Sequence, residues 1–452
     1  MNSPFDPNQT RLGGAPIDPV RTQMNPGQPA PFMPLGPDPA NMPASLKVDV
    51  FASREATMAN GPAREQFLVE VSAPDFLPKG AVGRMKTPTN VILVLDVSQS
   101  MTGNPIESMK EAACYVVDLL SPDDLLGIVT FSQQAFVLMP VQKVVDKNAI
   151  KSGIRQLQPE WTTNVSDGLM RAHEQAMLGR ELNRASRILL FTDGEPTDGL
   201  TDFPALVDLA GTVKDQGVGI SLLGFGQDYN EELLVSMARR GGGNFYHISR
   251  TDLMAEVFRA ELEKLTNVVA TDLRLEVKPA RWVETRGNSQ GDTFSIDLPD
   301  LERGALVDKL VEFEFQNHPL GWYRVAEGTL RYNDTISGRQ EQVAIDFIME
   351  FTADRARYEA PQNPKVASMI EYNLASEKVE RTIMGLRNQQ ITTGEALSDL
   401  ERTQAILTKD GRFDEASEVT RAIQAIKAGD VGEAQKTLMG AQYRMEQGKK
   451  QL

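Results

Sequence analysis

Four short apolar runs constrain this chain most: Val91–Leu95, Leu125–Phe131, Arg187–Thr192 and Val218–Gly224. Each is continuous rather than alternating, which predicts strands covered on both faces. Between and after them lie stretches with helical spacing of apolar residues, at 105–120, 147–157, 165–178, 203–215, 230–239 and 252–265. The first has a readable start, because Asn104 is suited to cap it and Pro105 fits the opening turn, where no N–H donor is missed. Strand and helix in alternation predict an α/β unit over 88–265, a doubly wound, mostly parallel sheet with helices on both faces. Ligands of such sheets gather beyond the carboxyl ends of the strands, where strand order reverses.

The flanks follow another rule. Leu46, Val48 and Val50, then Phe67, Val69 and Val71, alternate with polar residues as strands with one buried face do. Two strands make no domain by themselves. The same period returns only after residue 266, at Leu273/Leu275/Val277, Phe294/Ile296, Val311/Phe313/Phe315, Leu330/Tyr332 and Val343/Ile345/Phe347/Met349. An antiparallel β-sandwich split between 45–87 and 266–356 is expected, with the α/β unit inserted into it. From 357 to 452 the pattern is helical, with Val366, Met369, Ile370 and Leu374 on one face, and three or four helices are expected. Gly411-Arg-Phe-Asp-Glu-Ala416 and Gly429-Asp-Val-Gly-Glu-Ala434 look alike, but their interval is too short for a two-helix tetratricopeptide unit. Residues 1–44 hold 11 of the 26 prolines and no periodic apolar face, which predicts a disordered Pro-rich tail.

Charge and cysteine usage exclude whole classes. Forty-seven basic against 62 acidic side chains leave a net charge of −15, which repels phosphate backbones and anionic lipid, so nucleic acid is not an expected partner. No run approaches the ~18 apolar residues of a membrane span. Met1–Thr10 has neither the basic nor the apolar part of a leader, so a cytoplasmic, bacterial protein is expected. The single cysteine, Cys114, forms no internal disulfide and reads as a small buried apolar group on the first helix. His173, His247 and His318 are far apart and CxxC is absent, so a metal here would be hard and oxygen-held.

Oxygen donors stand where the sheet would present them. Asp96-Val97-Ser98-Gln99-Ser100 follows one buried strand, Thr192-Asp193-Gly194 follows another, and Thr162-Thr163-Asn164 precedes a helix. A loop leaving a strand can turn Asp96, Ser98 and Ser100 to one point. Mg²⁺ takes near-octahedral oxygen at ~2.0–2.1 Å with one or two carboxylates. Hydroxyls do not neutralise the ion further, so an open position would attract an acidic group from outside.

Competing readings fail on particular residues. An EF-hand places Asp96, Ser98, Ser100 and Glu107 correctly but needs glycine where Met101 stands. Aspartyl-phosphate hydrolases resemble one another in a second Asp two residues on, where this chain has Ser98. Ser98 or Ser100 as a nucleophile lacks a base in any motif. Gly80-Ala-Val-Gly83-Arg-Met-Lys86-Thr87 has the wrong spacing for a P-loop. Glu195 and Asp198 read as a solvated turn, and Asn164 and Asp167 as helix caps.

Asp96-x-Ser98-x-Ser100, Thr163 and Asp193, in this order, resemble the metal-ion-dependent adhesion site of a von Willebrand factor type A domain. Gly224-Phe-Gly-Gln-Asp-Tyr-Asn230 and Gly241-Gly-Gly-Asn-Phe-Tyr246 reinforce the resemblance, which covers 88–265. The whole layout is similar to bacterial proteins built like the inter-alpha-trypsin inhibitor heavy chains. The resemblance implies Mg²⁺ or Mn²⁺, met by Ser98, Ser100 and Thr163 directly or through water and held by Asp96 and Asp193 partly through water. It implies a protein partner whose Asp or Glu completes the coordination, no catalysis, and a helix near 252–265 that shifts when ligand binds. A subunit serving an AAA+ ATPase in trans is the alternative, and a Mg²⁺-dependent phosphohydrolase the third reading. One departure stands out: Trp161-Thr162 replaces the two glycines that many members carry. Large aromatics are mostly buried, so Trp161 is expected to pack on the rim of its own domain, an anchor for a partner being the other reading.

Overall fold

The computed structural model describes residues 46–74, 86–225, 229–248, 254–285 and 291–451, and the Pro-rich tail expected at 1–44 lies outside them. Three strands come first: β1 (Lys47–Ala52), β2 (Ala56–Met58) and β3 (Ala63–Ser72). The α/β unit then runs β4 (Thr89–Asp96), a 3₁₀ turn (Gln99–Met101), α1 (Asn104–Leu119), β5 (Leu125–Phe131), β6 (Ala135–Lys143), α2 (Lys147–Arg155) and α3 (Val165–Leu178). It continues with β7 (Ala185–Thr192), α4 (Phe203–Asp215), β8 (Gly219–Phe225), α5 (Glu231–Gly241), β9 (Gly242–Ile248) and α6 (Met254–Thr266). Its sheet has the order β6-β5-β4-β7-β8-β9, parallel throughout except for the antiparallel β5–β6 pair.

The continuous apolar runs have their reason in this arrangement. Val91, Leu93, Leu95 and Leu189 pack on one side against Met109, Ala113, Phe258 and Leu262 of α1 and α6. Ile92, Val94, Ile188 and Leu190 pack on the other against Leu169, Leu206 and Leu233 of α3, α4 and α5. The chain leaves β4 for β5 on one side and returns to β7 on the other, so the switch point falls between β4 and β7. Two details differ from expectation. Asn104 is the first residue of α1 rather than its cap: Gly103 takes that place at φ 90° and ψ −133°, a conformation that only glycine adopts readily. The edge strand β6 was not foreseen, because its half-exposed residues and Pro140 obscure the period.

The sandwich is completed by β10 (Val268–Pro279), β11 (Val283–Thr285), β12 (Phe294–Asp297), β13 (Leu301–Glu302), β14 (Ala305–Phe315), β15 (Gly321–Asp334) and β16 (Arg339–Thr352). One sheet runs β1-β3-β14-β11 and the other β12-β10-β15-β16-β2, with β13 on β10. Among the described residues their pairings are antiparallel except β2 with β16. Inward positions of the two sheets meet in one core, where the Phe347 ring lies edge-on to Phe67 and Phe313 at 5.7 and 5.4 Å.

Helices α7 (Arg355–Tyr358), α8 (Pro364–Arg387), α9 (Thr393–Lys409), α10 (Phe413–Lys427) and α11 (Val431–Gln447) follow, then β17 (Lys449–Gln451). The four long helices share a core of Tyr372, Val379, Leu400, Val419 and Leu438. They are fastened at both sides. β17 pairs with β14, and the Arg412 guanidinium reaches Asp308 of β14 at 3.2 Å. On the α/β side, the Tyr443 hydroxyl donates to the Gly243 carbonyl and Arg239 pairs with Glu446 at 2.6 Å. A further bond ties the inserted unit to the sandwich: Arg187 of β7 donates to Asp300 at 2.6 Å, both side chains buried. Among the described residues no helix is long and apolar enough to cross a membrane.

Candidate metal centre

Asp96 ends β4 with no exposed surface. Its Oδ1 accepts the Ser98 backbone N–H at 2.8 Å and its Oδ2 accepts the Thr192 hydroxyl at 2.6 Å, so the carboxylate is clamped by two strand ends. From there the oxygens form a chain toward the surface. Ser98 Oγ lies 3.0 Å from Ser100 Oγ, and Ser100 Oγ donates to Asp193 Oδ1 at 2.6 Å. Gly194 leaves space beside them: a Cβ there would stand 3.6 Å from Ser100 Oγ and 3.8 Å from Thr163 Oγ1. The five residues singled out in the sequence therefore converge at the carboxyl end of the sheet, beside the switch point.

Backbone bonds fix the three turns to each other. Val97 N–H donates to the Phe131 carbonyl at 2.9 Å, and Glu160 N–H to the Val97 carbonyl at 2.6 Å. Thr163 N–H donates to Thr197 Oγ1 at 3.0 Å, while its carbonyl accepts Thr197 N–H at 2.9 Å. Ser132 serves both sides, its hydroxyl donating to Glu160 and its carbonyl accepting Asn164 N–H at 2.8 Å. Asn164 caps α3 as expected, its Oδ1 accepting Asp167 N–H at 3.0 Å, and Asp167 in turn accepts Ala135 N–H at 2.7 Å.

The electrostatics of the cluster leave a deficit of positive charge. Burial pushes the Asp96 carboxyl up to about 7, against the pull of the Ser98 and Thr192 hydrogen bonds, and the charge of Asp193 adds to the rise. The donors acting on it are neutral and its charged neighbour has the same sign. A carboxylate in that position is costly unless a cation compensates it. Among the described residues no three His, Cys, Asp or Glu side chains gather for a metal; the cluster itself offers two carboxylates and three hydroxyls, hard oxygen throughout.

Other candidates separate from this cluster. His247 donates from Nε2 to Glu433 at 3.0 Å and accepts the Tyr229 hydroxyl on Nδ1 at 2.5 Å; His318 stacks on Trp282 with centroids 3.9 Å apart; His173 lies on α3. Cys114 is buried on α1. Glu195 is exposed, and Asp198 accepts the Thr162 hydroxyl at 3.2 Å. Trp161 corrects its expectation: it does not pack on its own rim but is 79% exposed. The sequence assigns no role to Thr192, Ser132 or Gly194, although the first and last stand in the run that carries Asp193.

Fold and cluster together define an α/β module that presents hard oxygen donors at the switch point of a doubly wound sheet. Residues 90–260 match the family model of the von Willebrand factor type A domain. Over 270 residues it is 29% identical to the uncharacterized protein sll0103 of Synechocystis sp., covering 56% of this chain and 64% of that one. With inter-alpha-trypsin inhibitor heavy chain H1 of Sus scrofa it shares 30% identity over 202 residues, 42% of this chain and 22% of the relative. It thus spans less than two thirds of either relative. Two solved structures share the fold over most of the chain. A von Willebrand factor type A protein from Catenulispora acidiphila has a TM-score of 0.62 at 15% identity, covering 82% of this chain and 88% of that one. The ArnB paralog VWA2 from Sulfolobus acidocaldarius has 0.61 at 17%, covering 89% and 98%.

Proposed function

We propose that this protein is a metal-dependent protein-binding module without catalysis of its own, holding Mg²⁺ or Mn²⁺ with Ser98, Ser100, Thr163, Asp96 and Asp193. The metal, when bound, supplies an electrophilic position for an Asp or Glu of a partner protein. The chain's own residues do the rest. Asp96 holds the Ser98 amide and Thr192 hydroxyl, which orients the turn carrying Ser98 and Ser100. Gly194 keeps the space in front of Ser100 and Thr163 free of a side chain. The observation that carries this reading is the fully buried Asp96 carboxyl, supported only by neutral donors and leading through two hydroxyls to a second carboxylate. Binding rather than hydrolysis is favoured because His247 and His318 are engaged away from the cluster and Ser98 stands where a second carboxylate would act. A cytoplasmic setting suits the lone buried thiol of Cys114. The domain division we propose is a sandwich of 45–87 and 266–356, a von Willebrand factor type A domain of 88–265, a helical region of 357–452 and a Pro-rich tail of 1–44.

Calorimetric titration with Mg²⁺ and with Mn²⁺ tests the reading. One ion per chain is expected for the native protein and none for Asp96→Ala or Asp193→Ala, with helical circular dichroism retained. No uptake by the native protein rejects it.

A further inference from the structure

Trp161 is the feature that the metal reading does not absorb. It is 79% exposed, whereas Trp282 sits in an aromatic cluster of the sandwich. An indole left in water forgoes the stabilisation that burial gives an aromatic of its size, and surface position alone gives no return for it. Its backbone is nevertheless fixed on both sides. Glu160 N–H donates to Val97, Thr163 N–H to Thr197 Oγ1, and Asn164 N–H to Ser132. The indole therefore projects from a rigid base two residues before Thr163. Leu200, 38% exposed, belongs to the loop bonded to this one: its N–H donates to Ser166 Oγ at 3.0 Å, and the N–H groups of Thr197 and Asp198 donate to the Thr163 carbonyl at 2.9 and 3.3 Å. Two exposed apolar side chains thus stand on the two loops that are bonded together at Thr163.

The charges nearby narrow what fits. Glu160 and Glu195 are exposed and Asp198 half-buried, all within five residues of the proposed ligands. This rim repels any acidic group except one placed directly on a cation. We propose that Trp161, together with Leu200, is the specificity anchor of this site, and that the partner presents a segment with a single Asp or Glu, an apolar side chain within two positions of it, and no further acidic neighbour. The inference rests on the metal reading above. A Trp held on a rigid base loses little conformational freedom on binding, which is why such residues dominate interface energetics.

The probe is a displayed library of random linear peptides, selected on the full chain in Mn²⁺ and eluted with chelator, in parallel on the native protein and on Trp161→Ala. The native protein is expected to enrich one acidic residue with an apolar neighbour. Trp161→Ala is expected to bind those peptides about 30-fold more weakly and to lose the apolar preference while keeping the acidic one. Trp161→Phe should restore most of the affinity. Calorimetric Mn²⁺ uptake is expected to be unchanged in both variants, which separates this inference from the metal reading: loss of uptake by the native protein defeats both, whereas intact uptake with the same peptides selected by native and Trp161→Ala defeats the anchor alone. A chelator-eluted pool with no apolar preference also overturns it.

Discussion

Replacing Asp300 by Asn tests how the inserted domain is fastened to the sandwich. Arg187 and Asp300 have side chains 5% and 7% exposed and are bonded at 2.6 Å, with Lys214 3.8 Å from the other carboxylate oxygen. Burial works to raise the Asp300 carboxyl, and the charges of Lys214, Arg187 and Lys449 overcome it, leaving the group below the usual carboxylate range. Removing its charge leaves the buried Arg187 guanidinium with a neutral amide oxygen, the Gly242 carbonyl at 3.1 Å, and the more distant charges of Glu261 and Glu302. Breaking a buried pair from one side costs about 3–5 kcal/mol. The lower end, about 3, applies here because those partners remain. Urea unfolding, followed both by Trp fluorescence and by helical circular dichroism, should show the loss in both signals, since the two side chains belong to different units. Arg187→Met with Asp300→Leu should recover most of it, because an apolar pair needs no compensation. A cost below about 1 kcal/mol for Asp300→Asn, or a double variant as weak as the single one, refutes the argument. The depressed carboxyl also fixes the sign with pH: its contribution is whole above the unfolded value near ~3.9 and fades as pH falls through the folded one.

Two further outcomes follow from the β9 edge. His247 is held below its usual range by burial, against the upward pull of Glu433, so the unfolded chain takes up the proton first and stability falls as pH drops below ~6.5; melting at pH ~7.5 and ~5.5 should show a smaller acid loss for His247→Gln, and an unchanged loss counts against the assignment. A Cβ on Gly243 would lie 2.1 Å from the Ile220 carbonyl oxygen, so Gly243→Ala should cost at least about 3 kcal/mol or give little soluble protein, and near-native melting would contradict the packing.

The buried strands β4, β5, β7 and β8 were legible because both-face burial writes itself as an unbroken apolar run, and the candidate site was legible because its residues sit immediately after two of those runs. What the sequence concealed depends on distant neighbours. Trp161 reads as an aromatic packed on the rim of its own domain, and only the assembled loops leave it 79% exposed. Asn104 has the chemistry of a cap but is displaced one position by Gly103, whose backbone angle no local pattern encodes. The docking of α11 onto β9 through Tyr443 and His247 joins residues some 200 positions apart, and β17 is only three residues long. Neither leaves a periodic trace.

The insertion carries a consequence for how the chain is made. Val71 of β3 pairs with Val307 of β14, so at about 5–20 residues per second the ribosome delivers the partner strand roughly 10–50 s after the first is out. During that interval β4 to α6, contiguous in sequence, can fold to completion. The β1–β3 ribbon meanwhile waits with the β3 edge that β14 will cover still bare, which makes nascent-chain aggregation, rather than native stability, the point at which expression of this architecture is most exposed.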